Sequence, residues 1–156
     1  MASEYVSFMM IFALGITMVV AVTFTMEDLS NSIYNTSAES EANSMLGRVR
    51  EKMLEVVSEV GHWAGSGEYR ASLNLPDSLA RQFNYEIAVV QDEGHYMLQV
   101  TTTSYGSEVD IREHLVVETV GYSISGSIRN TLSDPFLLVE WENGAVTTVI
   151  IGNQGA

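Results

Sequence analysis

The chain reads as α+β: a long N-terminal helix, apolar first and amphipathic later, then a small antiparallel β-sandwich-like head. Three observations predict it. Residues Tyr5 to Met26 carry no formal charge. Apolar residues then recur at helical spacing as far as Trp63. Beyond the glycine-rich stretch Gly61 to Gly67, the period changes from helical to alternating,. These features divide the 156 residues into a helical segment, 1–66, and a β-rich head, 67–156,.

The charge-free run lies between Glu4 and Glu27 and reads YVSFMMIFALGITMVVAVTFTM. At about 1.5 Å per residue, such a helix covers roughly 33 Å, enough to cross a bilayer core of about 30 Å. A secretory signal has a basic start and a shorter apolar run. This run is too long and has no basic start, the first basic residue being Arg48. The positive-inside rule therefore has nothing nearby to act on. Either orientation is set by residues removed earlier, or the segment is normally surrounded by copies of itself. Ser7, Gly15, Thr17, Ala21, Thr23 and Thr25 are small or hydroxyl-bearing positions that let helices approach closely,. Glu4 stands at the helix start, where a carboxylate is favourable but costly in lipid unless paired.

From Leu29 to Trp63 the sequence has no proline, and its glycines before the terminal stretch reduce to Gly47. Leu46, Val49, Met53, Val56, Val60 and Trp63 are spaced by three, four, three, four and three, a helix seam,. So short a seam is more often the face a helix lays on its own β-domain than a coiled coil. The amphipathic continuation is expected over 27–63, with Ser30–Ser44 a helical stalk or partly unwound, and bends at Gly15 and Gly47. The glycines after Val60 supply the stop.

In the head, Tyr69–Leu75 reads as a strand and Pro76–Phe83 as a short helical turn opened by Pro76-Asp77,. Tyr85–Val90 and Tyr96–Thr103 form strands joined through Asp92-Glu93-Gly94. Val109–Val117 alternates, with Val109, Ile111, Leu115 and Val117 on one face and Glu108, Asp110, Arg112 and His114 on the other. Tyr122–Ile128, Phe136–Trp141 and Val146–Ile151 follow, the last pair turned by Asn143-Gly144. About seven short strands suit a small sandwich or a strongly twisted sheet.

Composition narrows the chemistry. Twenty Asp and Glu against seven Lys and Arg give a formal charge of −13, which repels nucleic acid. An acid-rich, lysine-poor surface suits high salt, although an ordinary acidic secreted protein fits as well. No cysteine is present, so disulfides and thiolate chemistry are excluded,. His62, His95 and His114 lie in different elements, without metal-ligand spacing. Glu108, Asp110 and His114 share a strand face that reads as a solvated face rather than an ion site, as do Asp134, Glu140 and Glu142. No phosphate loop, nucleophile elbow or HExxH pattern occurs,. A non-enzyme without cofactor or metal is expected. Asn35-Thr36-Ser37 is a glycosylation acceptor,.

The start ASEYVSFMMIFALGITMVV, an acid and an aromatic leading an unbroken apolar helix, is followed by a charged helix and a β-head. It resembles archaeal type IV pilins and the related archaellins, in architecture over the whole chain and in sequence over about the first 25 residues. In that family a prepilin-type peptidase removes a basic signal. An assembly platform then draws the helices from the membrane into a filament core sheathed by β-heads. The resemblance implies a structural subunit of a cell-surface filament, a homopolymer used in adhesion, inserted in the membrane before assembly. The alternatives it admits are an archaellum subunit, used in motility, or a membrane-anchored accessory or stator-like β-sandwich binding protein. Glu4, Tyr5, Phe8, Phe12, Gly15, Val19 and Phe24 would then carry assembly. Glu4 stands one place out of the family glutamate's register. Glycans are frequent in the family, which favours use of Asn35.

Overall fold

A computed structural model describes residues 2–102, 109–115 and 121–154, with side chains from Tyr5 onward. The elements are α1 (Ala2–Val60), β1 (Gly67–Ser72), β2 (Tyr85–Asp92), β3 (His95–Thr102), β4 (Asp110–His114), β5 (Ser123–Arg129), β6 (Pro135–Glu142) and β7 (Ala145–Asn153). The chain divides into two compact units, residues 1–36 and 37–156. In the first, every described residue is helical. The second holds the rest of α1 together with every strand.

α1 is uninterrupted at Gly15, at Gly47 and through Ser30–Ser44. It stops at Val60 rather than Trp63. The Gly61 amide donates to Val57 O at 3.0 Å, and the Trp63 amide donates to Val60 O at 2.9 Å. Gly65 then takes φ +87°, a left-handed conformation that glycine adopts without Cβ strain. Trp63 therefore leaves the seam. It meets Tyr69 and Trp141 edge-on, with ring centroids 5.4 and 5.2 Å away,.

The seven strands form one sheet in the order β1-β6-β7-β5-β2-β3-β4. All neighbours are antiparallel except β5 and β7. The turns at Glu93-Gly94 and Asn143-Gly144 are two-residue hairpin loops with positive φ at both positions, the geometry that matches strand twist. A second sheet, as in a sandwich, does not form among the described residues. Its place is taken by α1, whose buried residues share one core with the strands. A sheet has to bury its apolar face against another layer, and here a helix supplies it.

That core is built from cross-strand neighbours of matching burial. Ile87 sits opposite Val100 and Ile128, Leu137 opposite Ala71 and Ile151, and Val139 opposite Val149. On the helix side, Leu46, Val49, Met53, Val56 and Val60 are at most 3% exposed, and Ala38, Ala42 and Met45 are fully buried beside them. Gly126, at φ +110°, lies hard against β7. A Cβ there would stand 2.0 Å from Ile151 O, so only glycine lets β5 approach β7.

Residues 76–83 do not form the expected helical turn. Leu79 and Phe83 close a bridge, each amide donating to the other's carbonyl at 2.9 Å. Between them Ala80 and Arg81 both adopt positive φ. Two tertiary demands override the local helix signal: Leu79 is fully buried in the core, and the Ala80 amide donates to Glu41 Oε2 at 2.8 Å. β1 and β4 are also shorter than their alternating patterns suggest, and Val117 lies outside the described residues.

Candidate assembly helix

The apolar stretch of α1 has no polar side to present to water. Tyr5, Phe8, Phe12, Val19 and Phe24 are between 59 and 69% exposed, and the large apolar residues between them are exposed as well. A helix apolar all round belongs in lipid or in a protein interior. By length and composition, this one is able to cross a bilayer,.

Its hydroxyls fit the same conclusion. Thr17, Thr23 and Thr25 donate to the carbonyls of Ala13, Val19 and Ala21, four residues earlier, at 2.8 to 2.9 Å. Each satisfies its donor within the helix, so none demands water. Gly15 opens a notch in this surface. Nothing lies within 4 Å of the position its Cβ would take, and Ile11, Phe12, Ile16, Val19 and Val20 flank the gap. Glu27 and Asp28 end the apolar stretch, both exposed. Glu4 lies in α1, but its side chain is outside the described residues.

Asn35 is half-buried within α1, and the neighbouring Thr36 hydroxyl donates to Ser32 O at 2.9 Å. The seam residues Leu46 to Val60 do not join this exposed surface, because they are spent on the core of their own unit. No protein-family model matches the chain, and no curated protein or solved structure matches it.

Among the described residues no three His, Asp or Glu side chains gather as metal ligands. Asp110 faces Arg112 at 3.5 Å and accepts from Gln99 at 2.6 Å, while Glu108 lies outside the described residues. A cavity of about 430 Å³ lies between 72–77 and 128–135, but its main polar groups are engaged. Asn130 Oδ1 accepts from the Tyr85 amide at 2.9 Å and its Nδ2 donates to Asp77 O at 2.6 Å. The Tyr85 hydroxyl donates to Pro76 O at 2.5 Å. Burial, helped by the Asp77 carboxylate and opposed by Arg48, pushes the Tyr85 phenol up to about 12,. Asn153, a buried polar residue, spends its amide on three carbonyls, those of Arg129, Leu132 and Ser133.

Sequence reasoning passed over one tie. Glu113 pairs with Arg50, joining β4 to α1. The signal was present in the alternation, since Glu113 shares strand parity with Ile111 and Leu115. An acid on the apolar side of a strand has to find a partner.

Proposed function

We propose that this chain is a structural subunit of a type IV pilus-like surface filament, as its resemblance to archaeal pilins suggests. The apolar helix resides in the membrane first and then packs against the same helix of other copies, leaving the β-heads outside. The observation that carries this reading is the exposed surface of residues 5–26, apolar on every side with its threonine hydroxyls satisfied internally. Burying one large apolar side chain is worth about 1.5–3 kcal/mol, so this surface has to be covered.

Two features favour copies as the cover over lipid alone. No Lys or Arg lies between the end of the apolar run and Arg48 to fix that end of the helix at an interface,. The Gly15 notch provides the close approach on which helix packing depends once apolar burial no longer discriminates between lipid and protein,. In this reading Tyr5, Phe8, Phe12, Val19 and Phe24 form the packed core of the polymer. A prepilin-type peptidase and an assembly platform are the partners that mature it, and the head has no catalytic task.

Electron microscopy of material sheared from cells, with mass spectrometry of the purified fibres, tests the proposal. Filaments composed of this chain are expected in the medium. Recovery solely as a detergent-solubilised membrane monomer would overturn it and favour a tethered binding head.

A further inference from the structure

All seven basic residues lie among the described residues. Arg50, Lys52, Arg112 and Arg129 pair with Glu113, Glu55, Asp110 and Glu86. Arg70 lies over the Phe136 ring, 3.7 Å from its centroid,. Arg48 and Arg81 hold no carboxylate among the described residues. Both are exposed, and both line one groove with Glu41, Ser44, Pro76 and Ser78. In a chain of net charge −13, two guanidiniums left over in one groove are out of keeping with the rest of the surface. The groove is also braced. Arg81 is carried on the left-handed pair Ala80-Arg81, and the Glu41 carboxylate accepts from the Ala80 amide, so the two guanidiniums exceed the one carboxylate in the groove by a single positive charge.

Residues 1–36 show the opposite imbalance. They contain no Lys, Arg or His, yet Glu27 and Asp28 stand exposed and adjacent where the apolar stretch ends. When copies pack there, water is displaced and the attraction or repulsion of charges strengthens. Unpaired carboxylates at that position oppose assembly, all the more between partners that each carry −13. An arginine fork is the side chain best matched to a carboxylate.

We infer that Arg48 and Arg81 of one copy receive Glu27 and Asp28 of a second copy, forming an electrostatic clasp between subunits. The inference rests on the proposal that copies of this chain assemble. The clasp adds direction to a contact that apolar helices alone leave unspecified, because charge pairing penalises every wrong register.

The test uses the full chain expressed in its own membrane. Glu27→Lys with Asp28→Lys, and separately Arg48→Glu with Arg81→Glu, are each expected to lower sedimentable filaments at least about tenfold, equivalent to about 1.4 kcal/mol. Combining all four restores assembly to near the starting level. Circular dichroism of each variant confirms a folded head. Because the chain lacks cysteine, a second readout is available. Copies carrying Asp28→Cys and copies carrying Arg81→Cys, co-expressed under different tags, are expected to be joined by a short bis-maleimide.

Filaments that tolerate both reversals and give no cross-link would overturn the clasp and leave the filament proposal standing. Cross-linked pairs in membranes without filaments would keep the clasp and overturn the filament. Absence of both would overturn both. Loss of membrane retention in the arginine variants, without a cross-link, would assign the groove to anionic headgroups instead and so overturn the clasp.

Discussion

Tyr85 shows how a single side chain sets a pH limit on the head. It is 1% exposed and its phenol is pushed up from 10 to about 12. The folded chain keeps this proton between pH 10 and about 12, where the unfolded chain releases it. Stability therefore falls as pH rises through that window, by at most about 1.4 kcal/mol per pH unit. Tyr85→Phe is expected to lower stability at neutral pH by about 1 kcal/mol, through the lost bond to Pro76 O,. It should also flatten the alkaline limb, and urea titrations at pH 8 and pH 11 measure both effects. At Gly126 the limit is steric. Alanine would place a Cβ against the backbone of Ile151 in a conformation that L-residues avoid. A loss of about 3 kcal/mol or more is expected, read as a lower urea midpoint. Neither limit was legible in the sequence. A tyrosine opening a strand and a glycine inside one look ordinary until the strand packed against them is known.

At the scale of elements, α1 serves two surroundings with one backbone. Leu46→Ala removes a fully buried side chain and is expected to cost the head about 2–5 kcal/mol. Phe12→Ala, on the exposed apolar stretch, is expected to leave the unfolding midpoint of the head unchanged while weakening whatever covers the helix. The two variants compared in one detergent measure the separation. Much of this was legible because it depends on local periodicity: the seam by its three-and-four spacing, and the hairpins at Glu93-Gly94 and Asn143-Gly144 by turn chemistry. What stayed hidden was non-local. The helical turn expected at 76–83 gave way to a loop whose Ala80 amide is captured by Glu41, far away in sequence. The groove holding Arg48 and Arg81 was equally invisible, because knowing which cations remain free requires knowing which are already paired.

At the scale of the whole molecule, the apolar stretch is the feature on which cellular placement turns. Val19→Lys puts an unpaired charge mid-stretch, at about 3 kcal/mol in a bilayer and at a comparable penalty in an apolar protein core. If copies assemble as proposed, it is expected to abolish the polymer, which shearing of cells followed by fractionation reads directly. Folding of the head is not expected to suffer, since residues 37–156 hold their own core. The order of the sheet also has a consequence during synthesis. β7 lies between β6 and β5, so it joins a β1–β6 pair to a β5-β2-β3-β4 group that share no other ladder among the described residues. Every strand it unites leaves the ribosome before it does. Until β7 arrives, the nascent head consists of two half-sheets with open edges, each a template for wrong pairing with a neighbouring chain. A message truncated before Ala145 would thus produce sticky fragments, not a smaller head.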